Sequence, residues 1–255
     1  MTGSEVSPLF RLAYVPGVMP TKWVRIWNER LPEVPLTLLG VPAAEAFDVL
    51  RGGGADAGFV RLPVDRTDLS AIPLYTETTV VVIPKDHHVA ALDEVSTEDL
   101  ADELVLDPLD DTLVWERRPG LPANERPATT ADAVELVAAG VGVLVVPQSL
   151  ARLHHRKDLT FRPVPDAPQS RVALSWPEDA TTDLVEQFIG IVRGRTVNST
   201  RGRPPAEAEP KRKKRPAAGA AAQRKSAAGK STGKNPRGGS GGPKGGKRGK
   251  PRRRP

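Results

Sequence analysis

Apolar and polar positions in the first part of the chain switch between two periods. Phe10-Arg11-Leu12-Ala13-Tyr14-Val15 alternates like a half-buried strand, and Pro16, Gly17 and Pro20 close it. From Thr21 the apolar positions Trp23, Ile26, Trp27 and Leu31 recur at helical spacing until Pro32 ends the run. Residues 36–39 read as a second strand. Ala43, Ala46, Phe47 and Leu50 form the buried stripe of a helix stopped by Gly52-Gly53-Gly54, and residues 57–60 form a third strand. Strands joined through helices by short connections predict right-handed crossovers, a parallel sheet and an α/β fold.

Beyond residue 60 the pattern loosens. An apolar run at 80–83 ends at Pro84, and a short helix is expected near 97–101. An extended segment at 104–106 leads into a Pro-rich irregular stretch over 107–127. A helix over 130–139 stops at Gly140, followed by a buried strand at 143–146 and a short helix at 149–155. Strands near 160–164 and 172–176 precede a last helix that buries Leu184, Val185, Phe188, Ile189 and Val192.

Charge divides the chain where the periodicity stops. Residues 1–200 carry 18 Lys and Arg against 29 Asp and Glu, a net of −11; residues 201–255 carry 19 against 2, a net of +17. All eleven aromatic residues precede position 189. The chain has no cysteine, which removes disulfides, thiolate metal sites and thiol nucleophiles. The first eight residues have neither a basic stretch nor an apolar core, so they do not read as a secretory signal, and no apolar run approaches membrane-spanning length. A cytoplasmic location is expected, with association to the nucleoid through the basic segment.

The segments FRLAYVPG, LPEVPLTLLG, EAFDVLRGGGADAGFVRLPVD, IPLYTETTVVVIPKDHHVA, STEDLADELVL, TADAVELVAAGVGVLVVPQSLARL and VALSWPED occur in that order. The most specific are Gly58-Phe59-Val60-Arg61-Leu62-Pro63 and Pro84-Lys85-Asp86-His87-His88. Over about residues 8–195 the chain resembles the effector-binding (substrate-binding) domain of LysR-type transcriptional regulators. The resemblance implies a two-lobed fold like that of type 2 periplasmic binding proteins. Its two crossing strands are expected at 80–84 and 160–164, lobe one at about 8–82 plus 166–195, and lobe two at about 85–159. It also implies a homodimer, with the helix carrying Trp23 and Trp27 at the interface, although both tryptophans also read as core. The family's winged helix-turn-helix has no counterpart in the sequence, so any contact with DNA is expected to use another device.

Small molecules bind open α/β sheets beyond the carboxyl ends of the strands, where helix N-termini supply free amides. Together with the resemblance, this makes Pro16, Gly17, Val18, Val41, Arg61, Thr129 and Thr130 the candidate effector-binding residues. Arg61 is expected either to pair with an effector carboxylate or to form a surface salt bridge. Thr129 and Thr130 are expected to cap a helix or to hydrogen-bond the effector. Family members usually carry Ser or Thr in the first loop. Pro16-Gly17-Val18 offers no hydroxyl, which implies an altered ligand or none. The expected effector is an organic acid.

Catalytic, metal and cofactor chemistry are not expected. His87-His88 and His154-His155 are adjacent pairs, and neighbours on a strand or helix face apart, so both pairs read as solvated. Asp107, Asp110 and Asp111 read as solvated turn acids. Gly229-Lys230-Ser231 lacks the first glycine of a phosphate loop, because Arg224 stands there.

Residues 201–255 have no apolar side chain larger than alanine, so the segment from 196 onward is expected to be disordered. Its composition resembles the basic tails of linker histones and nucleoid proteins. Lys211, Arg212, Lys213, Lys214, Arg215, Arg252, Arg253 and Arg254 are the expected contacts to DNA or RNA, through non-specific release of counterions. The expected function is a LysR-like regulatory protein with an effector domain and a nucleic-acid-binding tail. The alternative is a small-molecule or partner-binding protein with no direct DNA role.

Overall fold

The computed structural model describes residues 8–195; the expected tail and its basic clusters lie outside the described residues. In chain order the elements are β1 (Phe10–Tyr14), α1 (Thr21–Arg30), β2 (Leu36–Gly40), α2 (Ala46–Arg51), β3 (Ala57–Arg61), β4 (Leu69–Glu77) and β5 (Thr79–Pro84). They continue with β6 (Leu104–Leu106), β7 (Leu121–Pro122), α3 (Thr130–Ala138), β8 (Val143–Pro147), α4 (Gln148–Leu153), β9 (Leu159–Pro163), β10 (Ser170–Pro177) and α5 (Asp183–Val192). Two five-stranded sheets result, ordered β2-β1-β3-β10-β4 and β7-β6-β8-β5-β9, and each is the centre of one lobe.

The parallel arrangement expected for β1, β2 and β3 is present, with β10 antiparallel to both β3 and β4. Aromatic packing decides which helices cover which face. The Phe10 and Trp27 rings stack at 4.5 Å, Phe188 lies 5.3 Å from Phe10, and Trp23 lies 4.6 Å from Phe59. These contacts hold α1 and α5 on one side of the sheet. Trp27 is fully buried and donates its indole N–H to Val34 O at 2.9 Å, so it is core. Alternation turns Gly58 to the opposite face, where a Cβ would stand 3.2 Å from Ala13 Cβ and 3.4 Å from Leu50 Cδ2 of α2. A larger residue there would push α2 off the sheet.

Three expectations about elements change. The runs at 80–84 and 160–164 are not connectors: they are β5 and most of β9, paired antiparallel inside the second sheet. The chain crosses between sheets at Thr78, the single residue between β4 and β5, and again within 164–169. β4, which the apolar pattern does not announce, pairs with β10 as the edge of the first sheet, with an irregularity between Val172 and Ala173 opposite Pro73. An edge strand loses little from a proline's missing N–H, which is why the segment still pairs. The helix expected near 97–101 is a 3₁₀ turn at Glu98–Leu100.

The Pro-rich stretch over 107–127 is stitched rather than loose. Arg118 pairs with Asp107 and Asp111 at 2.7 and 2.8 Å, and Arg126 pairs with Asp107 at 3.0 Å. The Asp111 side chain is 5 % exposed. Two of the three aspartates expected to be solvated therefore hold the segment in place. No helix among the described residues is long and apolar enough to cross a membrane.

Candidate functional site

The carboxyl ends of β1, β2 and β3 face the second lobe across a cleft of about 1070 Å³, at the upper end of the range for small-molecule sites. Lobe one supplies Tyr14, the loop 16–20, Gly40, Val41, Pro42 and Arg61; lobe two supplies Asp110, Thr112, Thr129, Thr130 and α4 from Ser149 to Leu153. All seven residues expected at the site, Pro16, Gly17, Val18, Val41, Arg61, Thr129 and Thr130, line this one cleft. The wall is mostly apolar. Its polar side chains include Tyr14, Arg61, Asp110, Thr112 and Arg152, and the N-terminal ends of α1 and α3 add Thr21, Thr129 and Thr130, with free amides and a helix dipole that favour an anion.

Arg61 behaves differently from either expectation. It is buried, and its Nη1 donates to Glu77 Oε2 and to Ser170 Oγ, the latter at 2.7 Å. Its Nη2 donates to Pro16 O at 3.0 Å and to Ser149 Oγ at 3.2 Å. A guanidinium occupied in this way has no fork to spare for an effector carboxylate, and it is not on the surface. Glu77 ends β4 beside the first crossing and Ser170 begins β10 after the second, so Arg61 ties the cleft wall to the junction of the lobes. Burial, then the Glu77 carboxylate, push the Tyr75 phenol up, while Arg61 pulls it the other way.

Thr129 is the N-cap of α3. Its Oγ1 accepts from Asp132 N at 3.1 Å, while Asp132 Oδ2 accepts from Thr129 N at 3.2 Å, which completes a capping box. Thr130 is buried and donates to Asp110 Oδ1 at 2.8 Å. Both threonine side chains thus serve the protein first. Pro16, Gly17 and Val18 form a turn in which Gly17 has φ of +84°; a Cβ there would sit 2.5 Å from Ser149 Oγ. This glycine lets the two lobes approach.

Two further polar residues that the sequence did not single out also line the cleft. Thr112 Oγ1 is buried without a hydrogen-bond partner. Arg152 is exposed on α4, and no described residue pairs with its guanidinium. The available signal was the strand-to-helix turn Pro147-Gln148-Ser149, the same kind of turn that nominated the loop after β1.

Two α/β lobes joined by two crossing segments, with a cleft walled by helix N-termini, define a ligand-binding domain of the periplasmic-binding-protein kind. The chain belongs to the LysR substrate binding domain family, whose model matches residues 4–196. It is 34 % identical over 145 residues to a probable hydrogen peroxide-inducible genes activator of Mycobacterium leprae, covering 53 % of this chain and 46 % of the relative. It is 26 % identical over 184 residues to the HTH-type transcriptional regulator AlsR of Bacillus subtilis, covering 66 % and 59 %. The chain thus spans about half the length of these relatives, which are transcriptional regulators and not enzymes. Among solved structures it is similar to the BenM effector binding domain with its effector benzoate, at TM-score 0.62 and 20 % identity, covering 74 % of this chain and 92 % of that one. It is also similar to the reduced form of the OxyR regulatory domain from Pseudomonas aeruginosa, at TM-score 0.57 and 21 % identity, covering 74 % and 96 %. These structural likenesses establish the fold.

Proposed function

We propose that this chain is the sensing part of a LysR-type regulator and that a small organic acid, bound between its lobes, sets their relative position. The observation that carries the reading is the cleft itself: apolar walls, the N-termini of α1 and α3, and at its edge Arg152, with which no described residue pairs. Benzoate, the effector of BenM, has that combination of an apolar body and one carboxylate. Arg61 supplies the route for a signal, because an effector that displaces Pro16 or Ser149 changes what the guanidinium offers to Glu77 and Ser170 at the crossing. The absence of cysteine from the chain argues against a thiol-based response within it. A thermal-shift and calorimetric screen of aromatic and aliphatic carboxylates tests the proposal. A true effector at a hundred times its Kd adds about 2.7 kcal/mol of stability. Failure of every carboxylate to bind at millimolar concentration, while neutral compounds bind, sinks it.

Residues 201–255, at 19 Lys and Arg against 2 acids, support a second part of the proposal: non-specific binding of DNA or RNA, and so association with the nucleoid. With about six phosphates engaged, the log–log salt slope is near −5. A fragment of residues 1–200 that binds duplex DNA as tightly as the full chain removes the tail from the account. The chain is proposed to act as a homodimer, which sedimentation at micromolar concentration checks.

A further inference from the structure

β5 runs antiparallel to β8 and β6 runs parallel to it, so the exit of β5 and the entrance of β6 lie at the same end of the second sheet. That end is opposite the cleft, which is lined from the exits of β6 and β8. The turn after β5 carries His87 and His88, and the turn before β6 carries Glu103. His87 Nε2 lies 3.3 Å from Glu103 Oε2, and His88 Nε2 lies 3.6 Å from Glu103 Oε1. The two imidazole rings stack with centroids 4.6 Å apart, and the ligand atoms of all three residues fall within 4.8 Å of one another. The adjacent histidines therefore converge, contrary to the expectation that they face apart; His88 is solvated as expected, whereas His87 is largely covered. The His87 side chain is 19 % exposed, and its buried Nδ1 has no hydrogen-bond partner.

We propose that His87, His88 and Glu103 bind a divalent transition cation of the zinc type. Two imidazoles and a carboxylate are a donor set for Zn²⁺, Co²⁺ or Ni²⁺ rather than for Mg²⁺ or Ca²⁺. In a tetrahedral site with bonds of about 2.0–2.2 Å, neighbouring ligand atoms stand roughly 3.3–3.6 Å apart. Each imidazole lies at such a distance from a different Glu103 oxygen, and with one ligand atom per residue the set spans no more than 4.8 Å, so a small closing of the two side chains brings them around one ion. The backbone already holds the ligands. His87 N donates to Pro84 O at 3.1 Å, Glu103 N to Leu100 O at 3.0 Å, and Glu103 O accepts from Leu121 N at 2.7 Å. Three protein ligands leave a fourth position for water. Because no carbonyl or carboxylate braces His87 Nδ1, the affinity falls below that of centres whose ligating imidazoles are braced. The ion ties the exit of β5 to the entrance of β6 without touching the effector cleft.

The other histidine pair offers no such site. α4 ends at Leu153, and Asp158 is taken by Arg156 at 3.1 Å. The test is a Co²⁺ titration of the full chain without a polyhistidine tag, read by the visible absorption of low-coordinate cobalt and by competition with Zn²⁺. The expected result is one ion per chain, weakened at least about ten-fold in His88→Ala and in Glu103→Gln and unchanged in His154→Ala/His155→Ala. His88 is 72 % exposed, so its replacement leaves the metal-free fold intact, which far-ultraviolet circular dichroism verifies. A wild-type chain with no saturable spectral change overturns the proposal, as does unchanged affinity in both His88→Ala and Glu103→Gln.

Discussion

Arg61 and Glu77 form an ion pair whose side chains are only 5 % and 7 % exposed, at the point where the chain leaves the first lobe. Removing one member strands the other in a place water does not reach, which costs about 3–5 kcal/mol, whereas an apolar pair of matched volume is often tolerated. Glu77→Leu and Arg61→Met are therefore each expected to lower the urea midpoint strongly. The double replacement is expected to recover much of the loss. Strict additivity of the two single effects would mean that the residues do not act as a pair.

Gly17→Ala probes the approach of the lobes. The new methyl meets Ser149 Oγ and, at 3.1 Å, the Arg61 guanidinium, on a backbone of positive φ. A stability loss of about 1–3 kcal/mol is expected. Small-angle scattering should register a more open domain than in the wild type.

In the cleft, Arg152→Ala is expected to weaken a carboxylate effector by about ten- to a hundred-fold, the range for a hydrogen bond to a charged group. No described residue pairs with the Arg152 guanidinium, so stability should stay within about 0.5 kcal/mol. Thr112→Val removes a buried hydroxyl that no protein group satisfies. It should leave the fold unharmed and the effector affinity within about two-fold of wild type, because that oxygen has no surface open to the cleft. Calorimetry on the two variants with a common ligand separates these effects.

Acid sensitivity follows from carboxylates held low by their donors. The Ser96 backbone amide, then its hydroxyl, hold Asp99 below the usual range, and Thr67 does the same for Asp65 through its hydroxyl first. At Asp166 burial pushes upward, but the Thr97 hydroxyl and amide outweigh it and the group is lowered. A depressed folded-state value stabilises the fold above the unfolded carboxylate pKa, about 4, and the contribution drains away as pH falls below that. Asp166→Asn should thus be less stable than the wild type at pH 6 and closer to it at pH 3. An equal gap at both pH values would remove this residue from the acid response.

Much of the architecture was legible locally. Thr129 followed three residues later by Asp132 is a helix start that needs no tertiary contact, and the loops after β1, β2 and β3 identified their share of the cleft. β4 was not legible, because Pro73 in its middle reads as a break and half of its positions face outward. It is a strand because β10 lies alongside it.

The sequence by itself determined the alternation of strands and helices, the parallel core of the first lobe and the charge division at residue 200, since periodicity and composition are properties of near neighbours. Only the tertiary structure decided what the charged and polar side chains meet. Arg61 finds Glu77, Ser170 and Ser149 across separations of 16, 109 and 88 residues. His87 and His88 converge on Glu103 because β5 and β6 run in opposite directions within one sheet. Strand order and direction set those encounters, and no local pattern along the chain encodes them.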